Sequence, residues 1–330
     1  MSNVPSFVVV DERAVRTVIE PNRAEVLDVV RYAYELHHDG ASALPHSTFL
    51  RFPDRPADRI IALPAFLGGD IATSGVKWIA SYPGNLDQGI PRASAVLVLN
   101  DTATGRPLAC LASSLISASR TAASAVLGAE LLQGSRRASR VGILGAGVIA
   151  GAVVDFFAAA GWEIGAWRVV DTVAERAEAF ATRLRSGDVR TGTDAALAFA
   201  ECDVVVVATV AGQPHLHDPA LLAHAPTVLH LSLRDLSPEL VLASQNFTDD
   251  VDHAVRAATS LELAEQRSGD REFIAGTVGD LLTGAAHRDP GRAAVFSPFG
   301  LGILDIAVGR WVYDRVVAAG GGTRVDDFLD

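Results

Sequence analysis

The stretch that most constrains this chain is Val141–Ala150, Val-Gly-Ile-Leu-Gly-Ala-Gly-Val-Ile-Ala. Val141–Leu144 suits a buried strand, Gly145, Ala146 and Gly147 suit a tight turn, and the apolar run Gly151–Ala160 continues as helix. In such a strand–turn–helix the first glycine permits the turn and the second lets backbone approach a ligand. A small third residue, here Ala150, lets helix and strand pack closely. The free amides at the positive end of the helix then favour a phosphate. A second strand, Gly165–Val170, ends in Asp171, at about the distance where a carboxylate accepts hydrogen bonds from ribose hydroxyls and repels a 2′-phosphate. Strand, helix and acid together predict a dinucleotide site that prefers NAD to NADP. A plain glycine turn with Asp171 capping a strand end is the weaker alternative.

Downstream the alternation continues. Helical spacing at Ala174–Leu184, a short strand near Val189 and a helix at Asp194–Ala200 lead to the apolar strand Val204–Ala208. A helix near Pro219–Ala223, the strand Val228–Leu231 and a helix opening at Ser237-Pro238 follow; there Ser237 can cap and Pro238 suits the first helical position. Asp252–Arg267 and a helix from Gly302 to Ala319 close the chain, ahead of a loose Gly320–Gly322 tail and a solvated acidic end, Asp326–Asp330. Upstream the pattern differs: one helix, Glu20–His38, among strands at Phe7–Val10, Pro45–Phe52, Arg59–Pro64, Gly75–Ser81, Ala93–Leu99 and Pro107–Leu111, then a long helix, Ser113–Leu132. The expected fold class is therefore α/β. A Rossmann-type, doubly wound parallel sheet (residues 118–302) is inserted in a strand-rich α+β domain (1–117 with 303–330), on which the last helix packs back.

The length of 330 residues suits two domains. A net charge of −11 argues against nucleic acid or an anionic membrane as partner, so an anionic small substrate would need a local group of cations. Cys110 and Cys202 are too few for a disulfide framework or thiolate metal site. Met1–Val10 lacks a charged start and a long apolar core, and no apolar run reaches spanning length, so a cytoplasmic enzyme is expected.

Arg51, Lys77, Arg120-Thr121-Ala122-Ala123, the Gly145 turn and Asp235 together resemble the ornithine cyclodeaminase and μ-crystallin family over nearly the whole chain. Phe49-Leu50-Arg51-Phe52-Pro53, Gly75-Val76-Lys77-Trp78-Ile79-Ala80-Ser81 and Ser232-Leu233-Arg234-Asp235-Leu236-Ser237-Pro238 are similar to its siderophore-pathway branch of dehydrogenases. The resemblance implies a homodimer whose strand-rich domain binds substrate and dimerises. It also implies NAD-dependent oxidation and hydrolysis of N-(2-amino-2-carboxyethyl)-L-glutamate to 2-oxoglutarate and L-2,3-diaminopropionate, for siderophore or peptide-antibiotic synthesis. Ile90-Pro91-Arg92 adds a cation where the cyclodeaminase pattern has Leu-Pro-Thr, and Asp235–Leu240 lacks that pattern's lysine. Both departures run against ornithine and suit a small polycarboxylate. A cyclodeaminase-type lyase, another amino-acid dehydrogenase or imine reductase, and a non-catalytic dinucleotide sensor are the competing readings.

The local cations are Arg51, Lys77, Arg92 and Arg120. Arginine forks pair bidentately with carboxylates, whereas solvated strand-end cations are the ordinary alternative. The resemblance assigns Arg51 and Lys77 to the substrate carboxylate and Arg120 to the cofactor phosphates; Arg92 is placed with the substrate by its charge alone. Cofactor contacts are expected from Arg120, Thr121, Gly145, Gly147, Val148, Ile149, Asp171, Thr209 and Ser232. Asp235, past the strand Val228–Leu231, matches the family's acid/base, with Lys77 as the other proton carrier; burial should raise the Asp235 pKa towards a shuttle's range. Stabilising the helix from Ser237 is its simpler role. His215-Leu216-His217-Asp218 looks metal-like but lacks a third ligand, so no metal is expected. Cys202 reads as core, and Ser113 and Ser114 lack a nucleophile-elbow frame.

Overall fold

The computed structural model describes residues 6–184, 187–326 and 328. Sequence expectations on Met1–Pro5 and on Asp327, Leu329 and Asp330 lie outside these. The chain divides into two compact units, residues 1–120 with 301–330, and 121–300.

The first unit begins with β1 (Phe7–Val10), α1 (Glu12–Ile19) and α2 (Arg23–His38). Asp11 caps α1 by accepting from the Ala14 amide, so the helical region opens well before Glu20. There follow β2 (Ser42–Ala43), β3 (Thr48–Phe52), β4 (Arg55–Leu67), β5 (Thr73–Ser81), β6 (Ala93–Asp101) and β7 (Pro107–Ala112). The helix α3 (Ser114–Gln133) runs past the unit boundary. Strands order as β1-β7-β6-β5-β4-β2, with β3 also on β4; only β1 and β7 are parallel. Strand alternation sorts the side chains. Leu63, Lys77, Leu97 and Leu111 share one face through direct register, and all are buried. Arg51, opposite Arg59, and Ser81, also opposite Arg59, lie further along that face. The other face carries Val9, Leu50, Phe66, Trp78 and Val96, all exposed.

The second unit contains β8 (Arg137–Leu144), α4 (Val148–Ala159), β9 (Glu163–Val170), α5 (Ala174–Ala181) and β10 (Asp188–Gly192). Next come α6 (Ala195–Phe199), β11 (Val204–Val207), β12 (Thr227–His230), α7 (Pro238–Leu242), β13 (Gln245–Thr248) and α8 (Val251–Ala254). It ends with α9 (Ser260–Ser268), β14 (Ile274–Thr277), α10 (Val278–Thr283) and β15 (Ala294–Phe296). All eight strands pair in parallel in the order β10-β9-β8-β11-β12-β15-β13-β14. The order reverses between β8 and β11, the switch point where open parallel sheets bind ligands. The chain then returns to the first unit as α11 (Gly302–Ala318), packed on β4, β5 and β6, and β16 (Thr323–Val325), antiparallel to β1.

The α/β class, with a parallel Rossmann-like sheet and a mixed strand-rich sheet, is as the sequence led one to expect. Three readings change. The stretch after Gly320 is not a loose tail, because β16 pairs with β1 and Phe328 stacks on Phe7. Asp252–Arg267 is two helices, broken where Ala257 and Ala258 take left-handed backbone. Three further strands, β13, β14 and β15, extend the sheet beyond β12. No helix among the described residues is long and apolar enough to cross a membrane.

Close packing leaves no room at Gly142, where an added Cβ would lie 1.7 Å from the Ala198 carbonyl oxygen. Gly142→Ala should therefore push α6 off β8 and destabilise the protein by about 3 kcal/mol. A clear drop in the urea midpoint, with the slope unchanged, is the expected result.

Candidate functional site

The glycine turn closes as its sequence requires. Gly145 has φ +96°, and a Cβ there would lie 2.6 Å from the Ala208 carbonyl oxygen, so both backbone and space demand glycine. Its amide donates to the Val170 carbonyl, 2.8 Å away, tying the turn to the end of β9. Gly147 is the N-cap of α4 with no side-chain cap, and a Cβ at this position would meet nothing within 4 Å. The first-turn amides, Val148 and Ile149 among them, thus face open space at the positive end of a helix. Asp171 does more than was expected of it: Oδ2 accepts from the Ala146 amide at 2.9 Å and Oδ1 from the Val173 amide at 3.0 Å. It latches the loop, and each oxygen keeps a further lone pair for a ribose hydroxyl. Val148 (79% exposed) and, after β11, Val210 (77%) are apolar side chains left uncovered beside this edge. An uncapped helix, an open glycine cradle and a carboxylate at the next strand fit a dinucleotide.

Asp235 lies on the loop that follows β12, with its side chain fully buried. Leu233, two residues earlier, holds left-handed backbone at φ +69°, a strained conformation for a branched side chain. The loop is strapped down by the Ser260 amide on the Leu233 carbonyl (2.7 Å) and by Arg234 Nη2 on the Ala257 carbonyl (2.6 Å). This aims Asp235 into a ring of partners. The Thr209 hydroxyl donates to Oδ1, and His215 Nε2 lies 3.1 Å from the same oxygen. The Ser232 hydroxyl donates to Oδ2, and His230 Nε2 lies 3.1 Å from it. His230 is in turn fixed by the Ser297 hydroxyl, 3.2 Å from Nδ1. Burial pushes the Asp235 pKa up, but the His230 contact and the Ser232 and Thr209 hydroxyls outweigh it and hold the carboxyl well below its usual range. The expected rise towards a shuttle's range is therefore reversed. Nor does Asp235 cap the following helix: Ser237 does, accepting from the Leu240 amide.

In the first unit, Lys77 Nζ donates to Asp305 Oδ2 at 2.7 Å and to Ser117 Oγ at 3.1 Å. Arg120 Nε reaches the other Asp305 oxygen at 3.3 Å. Burial and the neighbouring Arg120 push Lys77 down to about 8, against the pull of Asp305. Two cations on one carboxylate leave this buried cluster with a net positive charge. Arg51 and Arg92 differ. Arg51 is exposed, its guanidinium 5.5 Å from the Phe49 ring centre, and Arg92 Nη1 donates to Ser81 Oγ at 3.0 Å. Neither makes an ion pair among the described residues.

So the structure gathers Lys77 with Arg120, and Asp235 with Thr209 and Ser232. Gly145, Gly147, Val148, Ile149 and Asp171 line the glycine turn, and Thr121 opens the second unit beside Arg120. Sequence reasoning missed Asp305, His230 and Ser297, and set His215 aside as a metal decoy. The only available signals were a buried-helix Asp in an apolar run for Asp305 and a histidine ending a Val-Leu strand for His230. No group of metal-ligating side chains occurs among the described residues. Burial pushes the Cys202 thiol up to about 11, leaving it a core residue.

The sequence pattern of the ornithine cyclodeaminase/mu-crystallin family matches residues 10–320. N-((2S)-2-amino-2-carboxyethyl)-L-glutamate dehydrogenase of Staphylococcus aureus is 29% identical over 279 residues, 82% of each chain. The structure of Thermococcus litoralis Delta(1)-pyrroline-2-carboxylate reductase, in complex with NADH and L-proline, matches with a TM-score of 0.87 at 23% identity, covering 96% of this chain and 100% of that one. An archaeal alanine dehydrogenase dimer with bound NAD gives 0.86 at 24%, over 98% and 100%. These structural likenesses establish a shared fold.

Because the folded-state pKa of Asp235 is depressed, the carboxylate adds stability above its unfolded pKa of roughly 4, and that increment is lost as the pH falls. Asp235→Asn should lower the denaturation midpoint at pH 7 and converge with the parent protein on acidification below about pH 4.

Proposed function

Because the chain belongs to the ornithine cyclodeaminase/mu-crystallin family, we propose that it is an NAD-dependent amino-acid dehydrogenase acting on a secondary amine with several carboxylates. The favoured substrate is of the N-(2-amino-2-carboxyethyl)-L-glutamate kind, oxidised and hydrolysed to 2-oxoglutarate and L-2,3-diaminopropionate. The observation that carries this reading is the set of cations in the first unit. In a chain of net charge −11, Lys77 and Arg120 form a buried net-positive cluster, and Arg51 and Arg92 make no ion pair among the described residues. That is provision for a polyanion, and it repels the side-chain ammonium of ornithine. The Staphylococcus aureus relative supports the substrate class, and the NAD-bound archaeal dimer and the NADH-bound reductase support the cofactor.

In this reading the Gly147, Val148 and Ile149 amides hold the pyrophosphate, with Arg120 and Thr121 on the phosphates, Asp171 on the ribose and Thr209 and Ser232 at the nicotinamide end. The bound nicotinamide supplies the hydride acceptor. The protein supplies position and charge. Arg51 and Arg92 grip carboxylates, and the Lys77–Arg120 cluster balances the charge of the acid. The amine must lose its proton before its lone pair can form the carbon–nitrogen double bond. Water then adds to that carbon, and return of a proton to nitrogen releases the two products. A cytoplasmic setting and a siderophore or peptide-antibiotic pathway belong to the same reading.

A second reading runs the hydride the other way, as an imine reductase, and the proline-bound reductase fold favours it. Absorbance at the NADH band decides. Growth of the band with N-carboxyalkyl glutamates supports oxidation, whereas ornithine consumption without NADH accumulation overturns it. Arg51→Gln and Arg92→Gln should each raise KM about 10- to 100-fold with kcat little changed, the value of one charge-assisted contact.

The exposed apolar sheet face supports a homodimer. Trp78 (43% exposed) lies opposite Val96 in register, with Leu50 and Phe66 also exposed on this face. Such a patch asks to be covered. Trp78→Asp should convert a dimer to monomer in light scattering.

A further inference from the structure

Both oxygens of the Asp235 carboxylate are approached by ring members, and the Asp235 amide itself donates to His230 Nε2 at 3.1 Å. Each carboxylate oxygen has two lone-pair directions. Thr209 and His215 engage Oδ1, while Ser232 and His230 engage Oδ2. The Thr209 hydroxyl is committed, since its oxygen already accepts from the Ala211 amide at 3.1 Å. His230 is buried and pinned at Nδ1 by Ser297. To take a proton from a substrate, Asp235 would have to receive it past the Thr209 and Ser232 hydroxyls, on a side chain that is itself fully buried.

His215 is the most open member of the ring, its side chain 44% exposed against 0% for Asp235, with Thr209 and Ser232 in between. Its backbone is built onto the loop that carries Asp235. The His215 and Leu216 amides both donate to the Asp235 carbonyl at 2.9 Å, and the Ser237 amide donates to the Leu216 carbonyl at 2.9 Å. Leu216 and Leu236 form a parallel bridge. The histidine is therefore held in register with the acid and does not hang from a free loop. A carboxylate only accepts, so Nε2, 3.1 Å from Oδ1, carries the hydrogen and Nδ1 keeps its lone pair. Nδ1 meets no partner among the described residues.

We propose that His215 Nδ1, oriented and charge-balanced by the buried Asp235, is the proton acceptor for the substrate amine, with Asp235 a positioning residue. The step rests on the amine-oxidation reading above and balances simply. The N–H bond of the substrate ammonium breaks, its electron pair stays on nitrogen, and the proton forms an N–H bond at Nδ1. The resulting imidazolium faces Asp235 through Nε2 and passes the proton to water or back to the departing amine. This is the division of labour of a buried carboxylate behind an exposed imidazole. The other titratable group on the pair is His230, at the far oxygen; His217 and Asp218 follow His215 in sequence, with Asp218 turned to the Ala220 amide.

Two measurements test it. His215→Ala should lower kcat/KM about 10²- to 10³-fold, and free imidazole added to the assay should restore turnover in proportion to its concentration. Asp235→Asn should not be rescued by imidazole. Turnover of His215→Ala within threefold of the parent, or a loss that imidazole leaves unchanged, overturns the proposal. Independently of any substrate, ¹⁵N-histidine spectra of the parent protein, assigned by the signal missing in His215→Ala, should show the Nε2–H tautomer at His215. A resonance with hydrogen on Nδ1 overturns the pairing even if the variant is poorly folded. If the parent reduces no NAD with any amine, the functional reading falls, and the tautomer measurement still decides the pair.

Discussion

A carboxylate taken out of water must be given donors, and in the second unit that requirement organises everything at the carboxyl edge of the parallel sheet. Asp235 draws its hydrogen bonds from the ends of β11 and β12 and from the loop carrying His215, and, through His230, leans on Ser297 just beyond β15. Three neighbouring strands are thus keyed to one side chain. The left-handed backbone at Leu233 is the strain that this arrangement carries, offset by the straps from Ser260 and Arg234. An acid surrounded this completely is a fixed negative charge, and a fixed charge is valuable where cationic species form and vanish.

The first unit solves the opposite problem. Its buried charges are positive, and a single carboxylate, Asp305, keeps Lys77 and Arg120 from facing a dry interior unpaired. One acid between two bases restrains both without cancelling them, so an anion is still attracted. Ser117 adds a neutral acceptor for Lys77, using hydrogen bonding in place of further charge. Both units therefore show the same economy: the buried titratable group is defined by its neighbours.

Most of the fold could be read from the chain because its signals were local. The glycine turn, the apolar strands β8, β9 and β11, and the Ser237-Pro238 helix start each depend on residues adjacent in sequence. What escaped was non-local. The strand β13 contains Gln245 and Asn246, polar residues buried only because backbone carbonyls such as those of Val241 and Asp289 accept their amides. The strand β16 follows three consecutive glycines and exists because β1 offers it an edge. The candidate site divides in the same way. Asp235 and Lys77 stood out by pattern, but the sign of the Asp235 shift depended on His230, Ser232 and Thr209, the last of them 26 residues away. Asp305 lies 228 residues from Lys77, and only folding brings it there.

The latch at Asp171 limits how this protein could be re-engineered. The carboxylate that would discriminate against a 2′-phosphate also pins the Ala146 amide, so it is a structural tie as well as a selectivity filter. Exchanging it for a small or basic side chain to admit the phosphorylated coenzyme would slacken the phosphate cradle at the same stroke. A successful switch must install a substitute acceptor for that amide along with the new cation, which makes coenzyme preference here a trait of two coupled positions and slow to drift.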